Sequence, residues 1–119
     1  MNQSILQKAG IDYDAELRRF LGDEPLYLAV LKAFATDDII SRTRHAYNTQ
    51  DKKALLCAVH EAKGSSGNSG MSKAYEKASS LVSLLRSENY TEQALAECYK
   101  KFETAYLDAQ AAVLEALKA

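Results

Sequence analysis

The chain has 119 residues, 47% of them hydrophobic and 26% charged, which is the length and composition of a single globular domain. Its 15 basic and 16 acidic residues leave a net charge of −1, so no basic surplus exists to drive counterion release, and this argues against a nucleic acid held through its phosphates. No apolar run approaches the ~20 residues of a membrane span, and the N-terminus lacks a signal-peptide core. Cys57 and Cys98 form no disulfide framework, and as free, buried thiols they fit a reducing compartment. A small cytoplasmic monomer is the expectation.

Helical periodicity runs through the chain, and no alternating strand pattern is long enough to compete with it. The first predicted helix is short, with Asp12 as N-cap and Gly22 as C-terminal stop, and carries Leu17, Phe20 and Leu21 on one side. Asp23 caps the next helix. Pro25, the only proline, falls in its first turn, where a missing N–H does no harm. This second helix is expected to run to about Tyr47, with Leu26, Val30, Ala33, Phe34 and Ile40 recurring at threes and fours. Asn48 to Gln50 break the pattern and Asp51 caps a third helix, whose apolar stripe is Leu55, Leu56, Val59, Ala62 and Ser66. The Gly67–Gly70 stretch ends it. A fourth helix carries Ala74, Ala78, Leu81, Val82 and Leu85 and stops near Ser87 to Tyr90. Thr91 caps the last, which holds Leu95, Cys98, Phe102, Ala105, Tyr106, Ala109, Val113 and Leu117 in register. Short connections between long amphipathic helices favour antiparallel neighbours. The expected fold is all-α, an antiparallel four-helix bundle with a short additional N-terminal helix, and residues 1–119 form one domain without repeats or linkers.

The third helix holds the most informative residues. At about 100° per residue, with Val59 at zero, the stripe of Leu55, Ala62, Ser66 and Leu56 centres near about −20°. His60 then lies roughly 120° from the core direction and reaches water. Lys63 follows it by three residues and Gly64 by four, so both share its face. Glycine inside a helix costs roughly 1 kcal/mol against alanine, so Gly64 and Gly67 suggest a surface kept bare for close approach. The arrangement offers a nitrogen nucleophile, a nearby cation and no bulk around them. That geometry suits phosphate on histidine. A lone exposed histidine is otherwise most often a solvated side chain, and a lone lysine signifies nothing; the two glycines are what shift the balance.

Other readings of these residues are weaker. A phosphate-binding P-loop needs a preceding strand and a lysine after the glycines, whereas here a helical run precedes and the lysine comes first. Cys57 and His60 at i, i+3 lack the further ligands of a metal site, so no metal is expected. Cys57 as a nucleophile activated by His60 has no orienting acid or oxyanion donor. His45, after Arg42 and Arg44, belongs to a solvated face. A nucleotide-dependent kinase is disfavoured by the missing glycine-rich loop and metal-binding acids.

The stretch His60-Glu61-Ala62-Lys63-Gly64-Ser65-Ser66, with Asn68 and Gly70, resembles the H-x-x-K-G-S/A pattern of the bacterial histidine-containing phosphotransfer (HPt) domain family. Upstream, Ile11-Asp12-Tyr13, Arg19-Phe20-Leu21-Gly22-Asp23, Leu26-Tyr27, Leu31 and Phe34 follow at the family's spacing, so the likeness covers about residues 11–117. Ala62, Ser69 and Val82 depart from it, standing where leucine, an apolar residue and glutamate are common. The resemblance implies a carrier without independent turnover. His60 would accept a phosphoryl group from one receiver-domain aspartate and pass it to another, with Lys63 neutralising the phosphate and Gly64 and Gly67 giving the partner clearance. Response-regulator receiver domains and a hybrid sensor histidine kinase would be the partners. Mg²⁺ would sit on the receiver, and no cofactor on this chain. Imidazole's reference pKa of about 6.5 keeps the neutral nucleophile populated near neutral pH. The initial methionine favours a free-standing protein over an excised domain of such a kinase. The alternative is a helical interaction module that docks a partner and carries no phosphate.

Overall fold

Aspartates fix where the helices start. Asp12, Asp23 and Asp51 each accept a hydrogen bond of 3.0–3.1 Å from the amide three residues on, and Thr91 does the same for Ala94 at 3.0 Å. Each side chain thereby satisfies one of the amides that a helix start leaves unpaired. The structure, a computed structural model, describes residues 1–118. Among them the elements are α1 (Gln3–Lys8), α2 (Tyr13–Arg19), α3 (Glu24–Thr36), α4 (Ile39–Asn48), α5 (Lys52–Ser69), α6 (Ser72–Ser87) and α7 (Glu92–Lys118), with no strand.

The described chain is thus all-helical, and it is compact, with a radius of gyration of 14.8 Å. α5 packs between α4 and α6, α6 packs on α7, and α3 lies against both α5 and α7. One continuous core joins them, with Tyr27, Leu31 and Phe34 of α3, Leu55, Val59 and Ala62 of α5, Leu81 and Val82 of α6, and Phe102, Tyr106 and Val113 of α7. α5 ends at Gly70, whose φ of +78° is left-handed and whose amide bonds back to the Gly67 carbonyl. α6 follows after only one further residue.

Several expectations are corrected. The single helix expected from Asp23 to about Tyr47 is two helices, α3 and α4. Asp37 adopts an extended backbone (φ −70°, ψ 161°), and its carboxylate takes the Ile39 amide at 3.1 Å, which turns the chain where apolar periodicity alone would have continued it. A helix not expected from the pattern, α1, precedes Asp12; it buries Leu6 against α7, and the Asn2 amide bonds to the Ala116 carbonyl. Leu21 does not pack with Leu17 and Phe20. α2 stops at Arg19, and the reversal through Leu21 (φ 57°) and Gly22 (φ 77°) leaves Leu21 95% exposed. On α3 the buried face is Tyr27, Leu31, Phe34 and Ala35, whereas Leu26 and Ala33 are exposed and Val30 half-buried. Cys57 is exposed and Cys98 only half-buried, so the thiols are free but not sequestered.

The α3–α4 corner is also the point where three helices are tied together. Asp37 accepts from the Tyr106 hydroxyl of α7 at 2.7 Å, from the Ser65 hydroxyl of α5 at 3.2 Å and, more weakly, from Gln110 of α7 at 3.4 Å. Gln110 also donates to the Phe34 carbonyl at 3.0 Å. Deleting this acceptor strands partly buried donors, so Asp37→Ala is expected to lower stability by about 1–3 kcal/mol. Urea unfolding should show a lower midpoint at an unchanged slope. Asp38→Ala, which removes only an exposed contact to Arg42, should stay within about 0.5 kcal/mol of the parent.

Candidate functional site

α5 is amphipathic in small residues. Ala58, Val59, Ala62, Ser66 and Ser69 are buried, and the two serines satisfy themselves by donating to the Ala62 and Ser65 carbonyls at 2.8 Å. The opposite side of the helix carries Cys57, His60, Glu61, Gly64 and Gly67, all exposed. His60 therefore stands on the water-facing flank, where its position on the helix placed it. The side-chain hydrogen bonds of α5 are made by Lys52, Glu61, Ser65, Ser66 and Ser69; among the described residues His60 enters none of them. Its ring nitrogens are open to a ligand.

The charges around the ring are unequal in their freedom. Glu61 is engaged by a two-pronged contact from Arg42 of α4, at 2.7 and 2.9 Å. That hydrogen bonding holds the Glu61 carboxyl below the usual carboxylate range. Both partners are about half exposed, so the pair contributes at most about 1 kcal/mol. Its effect on the site is to neutralise the one carboxylate beside His60. Lys63, half-buried, forms no ion pair among the described residues. Its ammonium lies 5.9 Å from the centre of the Tyr75 ring, within reach of a cation–π contact.

The two helix-interior glycines differ. Nothing lies within 4 Å of where a Gly64 side chain would begin, so the backbone there is bare to solvent one turn beyond His60. At Gly67 the space is already taken, since a Cβ would meet the Tyr75 ring of α6 at 3.1 and 3.2 Å. Tyr75 and the Arg42–Glu61 contact are the features near the site that the sequence reading missed. The available signal for Tyr75 was an aromatic residue among the serines of α6, Ser72, Ser79, Ser80 and Ser83. Farther along the same helix end, Arg19 reaches from α2 to the Asn68 carbonyl at 2.6 Å and anchors the C-terminal turn of α5.

Among the described residues no group of three or more His, Cys, Asp or Glu side chains is arranged to hold a metal, and no helix is long and apolar enough to cross a membrane. Comparison of the chain with protein-family models, with curated proteins and with solved structures finds no match. The site is read from its residues alone. It combines an exposed nucleophilic nitrogen, an unpaired cation one helical turn away, a neutralised carboxylate and a patch of bare backbone.

The glycine contrast predicts opposite responses to a methyl group. Gly64→Ala should raise stability by up to about 1 kcal/mol through helix propensity alone. Gly67→Ala should gain clearly less or lose stability, because the Tyr75 ring must shift to admit it. Urea unfolding of the two variants side by side checks this; equal gains would mean that the ring yields freely.

Proposed function

We propose that this protein is a histidine phosphocarrier of the HPt type, in which His60 takes a phosphoryl group from the aspartyl phosphate of one receiver domain and delivers it to the aspartate of another. On this reading the helices form a four-helix bundle whose first side is the α3–α4 pair and whose other sides are α5, α6 and α7. The resemblance of His60-Glu61-Ala62-Lys63-Gly64-Ser65-Ser66 to the family pattern supports it. The observation that carries it is the exposed, unpartnered His60 ring on α5, with Lys63 and the bare Gly64 backbone on the same side.

The chemistry asks little of the carrier. A neutral imidazole nitrogen attacks phosphorus in line, the N–P bond forms as the bond to the aspartyl oxygen breaks, and the carboxylate leaves on the donor. Such transfer is governed by positioning and by neutralisation of the equatorial oxygens. Lys63 supplies a positive charge on this side, while the Arg42 contact stops Glu61 from opposing an incoming anion. Mg²⁺ belongs to the receiver in this scheme. The ring needs access more than it needs a pocket, and access is what Gly64 provides.

The test is incubation with a panel of receiver domains phosphorylated on aspartate. The expected product is alkali-stable, acid-labile phosphate on this chain, absent from His60→Gln. Failure of every receiver to label it, or equal labelling of the variant, leaves the phosphate-free docking module as the better reading. Gly64→Leu should keep its helicity by circular dichroism yet slow transfer by about tenfold or more, equivalent to about 1.4 kcal/mol of barrier. An unchanged rate would show that clearance at Gly64 does not matter.

A further inference from the structure

Tyr75 has a position that packing alone does not explain. It sits on α6 among Ser72, Ser79, Ser80 and Ser83, and the residue is 42% exposed and lies outside the core cluster. Yet the chain keeps a glycine inside α5, at Gly67, where a methyl group would press on this ring. The ring so admitted lies beside Lys63, the only cation that follows His60 at one-turn spacing, and the Lys63 ammonium is 5.9 Å from its centre. A solvated lysine explores many rotamers; one resting on an aromatic face is confined to fewer. Lys63 has no carboxylate partner among the described residues, so the ring is the aromatic contact that its ammonium makes in place of an ion pair.

We infer that Tyr75 is a positioning residue for the phosphoryl site: its ring, seated in the gap left by Gly67, confines the Lys63 ammonium on the side of α5 that carries His60, within the range of phosphate on the imidazole. This deepens the phosphocarrier reading and rests on it. The role is assigned to the ring and not to the hydroxyl, so phenylalanine should serve as well as tyrosine. Gly67 then acts inside the molecule, as the seat of the ring, while Gly64 faces outward.

A small phosphodonor tests this without a partner protein. With potassium phosphoramidate, a His60 ring nitrogen takes the phosphoryl group as the P–N bond breaks, ammonia leaves, and the ring proton passes to water. The rate of acid-labile labelling on His60 should fall about threefold in Tyr75→Leu, the effect of losing one exposed cation–π contact, and stay at the parental value in Tyr75→Phe. In a Lys63→Ala background, Tyr75→Leu should slow labelling no further. A purely structural tyrosine would show no such dependence on Lys63. Independently, NMR of the unphosphorylated protein should show the Lys63 ε-protons shifted upfield by the ring and returned to ordinary values in Tyr75→Leu.

Parental labelling in Tyr75→Leu, an equal slowing with and without Lys63, or an unshifted Lys63 in the parent would each overturn the inference. Loss of labelling in Tyr75→Phe would reassign the effect to the hydroxyl and overturn it as stated. Absence of His60 label in the parent would overturn the phosphocarrier reading itself. The Lys63 shift would then still decide whether the ring holds the ammonium, so the two failures are separable.

Discussion

The Asp37 carboxylate is the interaction on which the arrangement depends. Its two oxygens take a backbone amide at the α3–α4 corner, the Ser65 hydroxyl of α5 and the Tyr106 hydroxyl of α7, with Gln110 alongside. Hydrogen bonds to a charged acceptor are among the stronger ones in a folded chain, about 1.5–3 kcal/mol each where they are well formed and shielded. Burial pushes the Tyr106 hydroxyl well above the ordinary tyrosine range, with Asp37 adding in the same direction, so it stays protonated and remains a donor near neutral pH. Without this acceptor the corner would keep the Gln110–Phe34 bond to α7 and the exposed Arg42–Glu61 contact to α5, but the Tyr106 and Ser65 hydroxyls would lose the carboxylate that joins both helices at one point. With it, the break between α3 and α4 becomes a defined joint, and the helix carrying His60 is pinned at Ser65, just over one turn beyond the histidine.

Pinning one side of α5 has a consequence for the other. Past Leu55 the buried face is built of alanine, serine and valine, which lets the neighbouring helices approach closely and leaves the helix little freedom to roll. His60, Lys63 and Gly64 therefore share a fixed surface. The charges follow the same logic. Arg42 reaches from α4 to occupy Glu61, the acidic neighbour of His60, and the Lys63 ammonium one turn from the ring is left without an ion pair. An anion on the imidazole is met by one cation and no free carboxylate from these residues.

Much of this was legible in the sequence where the determinant was local. Asp12, Asp23, Asp51 and Thr91 announce their helices because a cap acts on amides two or three residues away. The exposure of His60 followed from the helix period alone. Where two local signals conflicted, the reading failed. Phe34 and Ile40 continue an apolar period straight through Asp37 and Asp38, and nothing local says that Asp37 will find Ser65 and Tyr106 across the fold. The α3 stripe came out rotated for a related reason: Leu26, Val30 and Ala33 are as apolar as Tyr27 and Leu31, and only the neighbours decide which set is covered. α1 was missed because six residues carry too little periodicity. Its stability comes from Leu6 on α7 and from the Asn2–Ala116 hydrogen bond, both long-range.

The glycines show how two positions that look equivalent in the sequence come to differ in their surroundings. Gly64 and Gly67 are alike to any helical wheel, since both flank His60 and both weaken the helix. Their difference lies on α6, brought back over α5 by the left-handed turn at Gly70, which puts Tyr75 against Gly67 and leaves Gly64 uncovered. On the phosphocarrier reading this makes the face directional. A receiver approaching over Gly64 meets bare backbone and can bring its aspartate up to the ring. From the Gly67 side it meets an aromatic wall with an ammonium resting on it. On that reading one glycine would admit the partner while the other admits the residue that bounds the partner's approach, so the same substitution at the two positions would act on different steps: contact between proteins at Gly64, and the placement of positive charge beside the ring at Gly67.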